Sequence, residues 1–200
     1  MTGHGVSFSN LTARKQAARK ELRRTRALAS VEKIQASAAM CDLFRQEIKL
    51  PQSAVVATYV ADDHEIDPAA LSEILWDKGH RLCLPCCGLP QTRLTFRLYE
   101  KNMILQQSSW KLFEPPARAP LMEPDILLVP LLGFDRQGNR MGRGGGYYDL
   151  TLQALRRIKP VTAIGLAYSA QEVPTIPVEG HDQLLNAVLT ERFYKTFALD

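Results

Sequence analysis

No stretch of these 200 residues is both long and apolar: the longest such run, 126–134, has nine residues and contains Pro130. A spanning helix needs roughly 20. The first residues carry no apolar signal core, so a soluble cytoplasmic protein is expected, with an organelle transit peptide as the lesser reading of their Arg/Lys-rich character. Cysteines are few, at positions 41, 83, 86 and 87. Cys83 and Cys86 have redox or zinc spacing with His80 just before them, but no second ligand pair stands at a matching distance. Buried thiols in a reducing compartment explain them better. Repeats and low-complexity tracts are also missing. What remains is a composition of 46% hydrophobic and 23% charged residues, enough to bury a core without disulfides or metals. One domain over residues 1–200 is expected, and, with no apolar helix face left over, a monomer.

Charge is unevenly placed. Residues 1–33 hold eight Lys/Arg against two Glu, whereas the whole chain is only +4. A basic helix over about 12–29 is predicted, with Lys15, Arg19, Arg23 and Arg26 along one stripe beside Ala18, Leu22 and Ala29. A solvated face is one reading of the stripe, and cations reaching a ligand phosphate another. No nucleic-acid motif accompanies it, so nucleic acid is not an expected partner.

A second helix is predicted over Val31 to Lys49, ended by Pro51. Strands follow at 54–60, 81–85, 93–99, 125–132, 162–168 and 187–191, with helices over about 68–78 and from Tyr147 onward. Strands separated by helical segments imply an α/β fold, a mostly parallel sheet with helices on both faces. Ligands bind such sheets at the carboxyl ends of the strands. The acidic segment after the first strand, residues 62–67, and the segment after the fourth, residues 133–149, belong to that edge. Within the former, Asp62 and Asp63 read as a solvated turn.

The densest signal is Asn139-Arg-Met-Gly-Arg-Gly-Gly-Gly-Tyr-Tyr-Asp149. Gly142, Gly144, Gly145 and Gly146 allow backbone N–H groups to close on an anion at the start of a helix. Tyr147 and Tyr148 stand where a P-loop needs Lys and Ser/Thr, and Tyr147 also replaces the third glycine of a dinucleotide fingerprint, so neither motif applies. A plain strand-to-helix turn would not need Arg140 and Arg143, whose guanidiniums suit phosphate.

With these residues in view, the chain resembles the 5-formyltetrahydrofolate cyclo-ligase (methenyltetrahydrofolate synthetase) family over nearly its whole length. Gly133 to Asp149 carries most of the likeness. Lys15, Arg19, Arg23 and Arg26, then Glu65-Ile-Asp67, Trp110 before Glu114-Pro115, and Ile176 to Asp182 support it. The resemblance implies a single three-layer domain (NagB/RpiA-like) and an ATP- and magnesium-dependent ligase converting 5-formyltetrahydrofolate, with or without a polyglutamate tail, to 5,10-methenyltetrahydrofolate. ADP and phosphate would be released. The formyl oxygen is phosphorylated, then nitrogen 10 closes the ring.

Roles follow from the likeness alone. ATP would be bound by Lys15, Arg19, Arg140, Met141, Gly142, Arg143, Gly144, Gly145, Gly146, Tyr147 and Tyr148, with Arg140, Arg143 and Tyr148 acting in catalysis. Val60, Glu65, Phe96, Trp110, Arg143 and Tyr147 would line the folate site, Glu65 accepting from the pterin edge. Asp149 would hold Mg2+. Two positions depart from the family: Gly145 stands where some members carry Lys, and Asn186 where an Asp associated with the metal is common. Other readings stand beside this one: a related ATP-binding protein with another cofactor precursor, a non-catalytic phospho-ligand or nucleic-acid module, and, by fold analogy, a sugar-phosphate isomerase.

Overall fold

The computed structural model describes residues 5–109 and 111–198. Helix α1, Gly5–Ala29, begins earlier than the basic stripe alone predicts; no proline and no glycine beyond Gly5 interrupts it, and its centre is rich in Ala, Lys, Arg and Leu. A 3-10 turn, Ser30–Glu32, separates it from α2, Lys33–Glu47. Pro51 then disfavours helical backbone at the residue before it.

The remaining elements are β1 Val55–Ala57, α3 Ala69–Asp77, β2 Arg81–Cys86, β3 Thr95–Tyr99, β4 Gln106–Gln107, β5 Phe113–Glu114, β6 Leu121–Met122, β7 Ile126–Pro130, β8 Gly133–Phe134, β9 Arg140–Met141, α4 Tyr147–Arg156, β10 Thr162–Leu166, β11 Ala187–Leu189 and β12 Tyr194–Thr196. Eight strands form the main sheet in the order β12-β11-β10-β7-β1-β2-β3-β6. From β11 through β2 every pairing is parallel. Its flanks are antiparallel: β12 on β11, and β3 on β2 with β6 beyond. No helix stands between β2 and β3, so the chain returns beside the strand it left.

Successive side chains of the buried strands divide between two cores. Val56, Leu82, Ile126, Leu128 and Ile164 pack with Met40, Phe44, Leu71 and Leu75 of α2 and α3. Ala57, Cys83, Leu127, Val129 and Ala163 pack with Leu152 and Leu155 of α4. The sheet is thus covered on both faces, as its near-continuous hydrophobic strands require.

Strand order reverses at β1. The chain goes from β1 to β2 on one side, and later from β7 to β10 and β11 on the other. The carboxyl ends of β1 and β7 therefore diverge at a topological switch point, the crevice where open α/β sheets bind ligands. Helix α1 is fastened near this edge by Leu22, which joins Leu132, Met141 and Ile176 in a small third core. The fit there is close: a Cβ on Gly133 would come within 2.6 Å of Leu22.

Candidate active site

A cavity of about 690 Å³ opens at the switch point. One wall is the loop after β1, including Val60, Asp62, Asp63 and Glu65, and a second is the glycine loop with the start of α4. Lys15, Arg19 and Arg26 of α1, Glu179 to Asp182 save Gly180, and Lys111 to Phe113 complete the rim. The volume suits a ligand of drug-like size or larger.

The glycine loop is built on a rigid turn. Asp135, buried after β8, accepts hydrogen bonds from the backbone of Gln137, Asn139 and Ile176 and from the Asn139 amide. That turn pairs β8 with β9 and sends the chain from Met141 into the glycines. Gly144 and Gly146 take φ of 110° and 69°, backbone that other residues rarely adopt. Gly146 is the N-cap of α4 and no side chain caps the helix. First-turn N–H groups at the cavity edge are thus available to an anion at the positive end of the helix dipole. Helix α1 braces the loop: Arg19 Nε donates to the Gly142 carbonyl at 3.2 Å and Arg23 to the Arg143 carbonyl at 3.5 Å.

Across the cavity, two carboxylates and two guanidiniums form one cluster. Arg26, buried, donates to Glu65 and to Asp62, both at 3.2 Å. Arg143, half exposed, donates to Glu65 at 2.7 Å and to Asp62. The solvated turn expected for Asp62 is therefore corrected: its charge is held by two arginines and by the N–H groups of His64 and Glu65. Partial burial raises the Asp62 pKa, but Arg143, Arg26 and these N–H donors outweigh it and leave the carboxyl below its ordinary value. Burial works against the charge of Arg143 as well, and Glu65 and Asp62 more than restore it.

The remaining charged groups are also paired. Lys15 donates to Glu179 at 2.9 Å and Asp182 at 2.7 Å; burial opposes its charge, and the two carboxylates raise its pKa overall. Arg140 lies almost out of solvent, bonded to Asp149 at 2.7 Å and to the Gln183 carbonyl. It fixes Asp149 and the 183 segment as much as it faces the cavity. Asp149 Oδ1 takes both Arg140 and the Gln183 N–H, and its Oδ2 has no hydrogen-bond partner among the described residues. One free hard oxygen beside the glycine loop fits Mg2+, which usually takes one or two protein carboxylates and completes its shell with water and phosphate. Burial and then Glu65 push the Tyr148 phenol up, which favours its neutral, hydrogen-bond-donating form.

Most residues picked out from the sequence line this cavity: Lys15, Arg19, Val60, Glu65 and every residue from Arg140 to Asp149. Phe96 does not; it packs in the α4-side core at 4% exposure, its ring used in supporting the sheet. Nor does Asn186, whose Oδ1 accepts from Arg156 and from the Ala163 N–H, both within 2.9 Å. An oxygen turned toward a guanidinium is not placed for a cation. Trp110 lies outside the described residues. Sequence reasoning missed Arg26 as a partner of Glu65, and Asp135 as the organiser of the loop. The cysteines divide between core and cavity rim: Cys83 is buried, its thiol pushed up to about 12 by burial, and Cys87 lines the cavity.

Comparison with known proteins gives the family and supports the fold. Residues 11–191 match the 5-formyltetrahydrofolate cyclo-ligase family. A 5-formyltetrahydrofolate cyclo-ligase of Haemophilus influenzae is 35% identical over 185 residues, covering 89% of this chain and 98% of the relative. That of Escherichia coli is 37% identical over 140 residues, 68% of this chain and 76% of the relative. Among solved structures, the 5,10-methenyltetrahydrofolate synthetase of Aquifex aeolicus superposes with a TM-score of 0.76 at 22% identity, over 93% of this chain and 94% of that one. The synthetase of Mycoplasma pneumoniae gives 0.68 at 24%, over 89% and 99%. At these identities the structures bear on the fold, and the sequence matches on the family. With 181 consecutive residues matched and the glycine loop facing Glu65 across one cavity, this chain belongs to the 5-formyltetrahydrofolate cyclo-ligase family.

Proposed function

We propose that this enzyme converts 5-formyltetrahydrofolate to 5,10-methenyltetrahydrofolate, using ATP and releasing ADP and phosphate. One observation supports the reading: a helix start with no side-chain cap, behind the glycine loop, and the Glu65 carboxylate line a single cavity. Family membership supplies the substrate.

The chemistry accounts for the two halves. A formyl group on nitrogen 5 is an amide, and its oxygen leaves poorly. Transfer of the γ-phosphoryl group forms a phosphorus–oxygen bond at that oxygen and breaks the bond to ADP. The lone pair of nitrogen 10 then attacks the formyl carbon, nitrogen 10 gives up its proton, and the carbon–oxygen bond breaks with departure of phosphate. Ring closure is intramolecular, so the protein's tasks are to place the phosphoryl donor and hold the folate folded.

In this reading the glycine-loop N–H groups and Arg143 neutralise the transferring phosphoryl, with Arg19 behind the loop. Asp149 Oδ2 would hold Mg2+, which supplies charge neutralisation at the phosphates. Arg140 positions Asp149. Lys15 has two carboxylate partners already and reaches phosphate by exchanging one of them. Glu65 accepts from the pterin, Val60 and Tyr147 flank the ligand, and protonated Tyr148 donates toward it. The site is tested by near-ultraviolet absorbance of the protein with folate substrate, ATP and magnesium. Growth of the methenyl chromophore only when ATP and metal are both present is the expected result. Growth without ATP contradicts the proposal.

A further inference from the structure

Two guanidiniums share the same two carboxylate oxygens. Asp62 Oδ2 and Glu65 Oε1 each accept from Arg26 and from Arg143. The arginines differ in freedom, their side chains being 7% and 53% exposed. Arg26 is a fixture, whereas Arg143 can leave. Arg143 belongs to the glycine loop and the carboxylates to the loop after β1, so its ion pairs join the phosphate half of the cavity to the pterin half.

We infer that Asp62 is a positioning residue that latches Arg143 across the cavity, and that release of this latch makes the two substrates bind cooperatively. The inference rests on the proposed function. Glu65 Oε2 accepts from the Asp62 N–H at 3.1 Å, and Arg143 covers Oε1, an oxygen that a pterin amino group would need. Nucleotide phosphates draw Arg143 away and uncover Glu65. A pterin on Glu65 displaces Arg143 and leaves it for phosphate. Each ligand thereby removes a competitor of the other, and coupling of this kind is reciprocal. Asp62 keeps its place when Arg143 leaves, because Arg26 and the His64 and Glu65 N–H groups still hold it.

The test is calorimetric titration of the whole protein with a non-hydrolysable ATP analogue and magnesium, with and without 5-formyltetrahydrofolate. Wild type, Asp62→Asn and Asp62→Glu are compared, with circular dichroism to verify folding. Wild type should bind the analogue about fivefold more tightly when the folate is present. In Asp62→Asn the analogue alone should bind more tightly than to wild type, and the ratio should fall below the wild-type value, the remainder being carried by the Arg143–Glu65 pair. Asp62→Glu, which keeps the charge, should retain more of the ratio. A general electrostatic effect would tighten both affinities alike and leave the Asn ratio unchanged, which overturns the latch. A ratio of one in wild type, with folate bound, also overturns it. Failure of wild type to bind the folate at all overturns the proposed function together with the latch.

Discussion

Arg26 and Arg143 reach the same carboxylates, yet burial assigns them different work. Removing Arg26 leaves Glu65, only 8% exposed, with the Asp62 N–H and one movable cation, Arg143; loss of one member of a buried pair typically costs about 3 kcal/mol. Arg26→Ala should lower stability by that order in denaturant unfolding. Arg143→Ala should change it by no more than about 1 kcal/mol, as for a partly exposed pair, while turnover falls about a hundredfold from loss of phosphoryl stabilisation. The opposite pattern would exchange the two roles. Acid should act on the same cluster. The folded-state pKa of Asp62 lies below its ordinary 3.8, so its contribution is complete above that pH and is lost as pH falls through the lowered value. Asp62→Asn should flatten this acid limb in unfolding measured from pH 5 downward. These partnerships were illegible in the sequence because the residues stand far apart along it: Asp62 and Arg143 are separated by 81 positions. A carboxylate beside another carboxylate in a polar stretch looks the same whether water or two arginines faces it.

Among the elements, α1 is seated by an apolar contact as well as by its polar ones. Leu22, 4% exposed, seats the helix against Leu132, Met141 and Ile176, and the same helix carries Lys15, Arg19 and Arg26 to the cavity. Leu22→Ala should cost about 3 kcal/mol and raise the KM for ATP through displaced cations. Thermal unfolding and steady-state kinetics test both effects, and loss of stability with unchanged KM would show that the helix keeps its place without Leu22. Helices and buried strands were legible because periodicity reports burial on one face or two. The strand at β3 was legible but its antiparallel direction was not, since alternation reports burial and not direction; the β8–β9 hairpin was not, since two-residue strands leave no period to read. Gly145 shows a finer limit. The sequence allows a side chain there, but a Cβ would come within 2.8 Å of the Tyr147 ring.

For the molecule as a whole, the alternation of strand and helix was enough to give a parallel sheet, and the crevice rule placed the acidic and glycine segments on one edge. What topology adds is where that edge opens: β1 between β2 and β7. Likeness to the family groups Phe96 and Asn186 with the site; the fold places one in the core and the other against Arg156. Among the described residues no helix is long and apolar enough to cross a membrane, in keeping with the absence of long apolar runs.

The central claim is that one cavity couples phosphoryl transfer to ring closure, and it is tested most directly by measuring ADP and methenyl product in the same reaction. The account predicts equal amounts of the two at every time point in wild type, and a parallel fall in both for Asp149→Ala and Arg143→Ala. Product formed without ADP, or ADP released steadily without product, would contradict it.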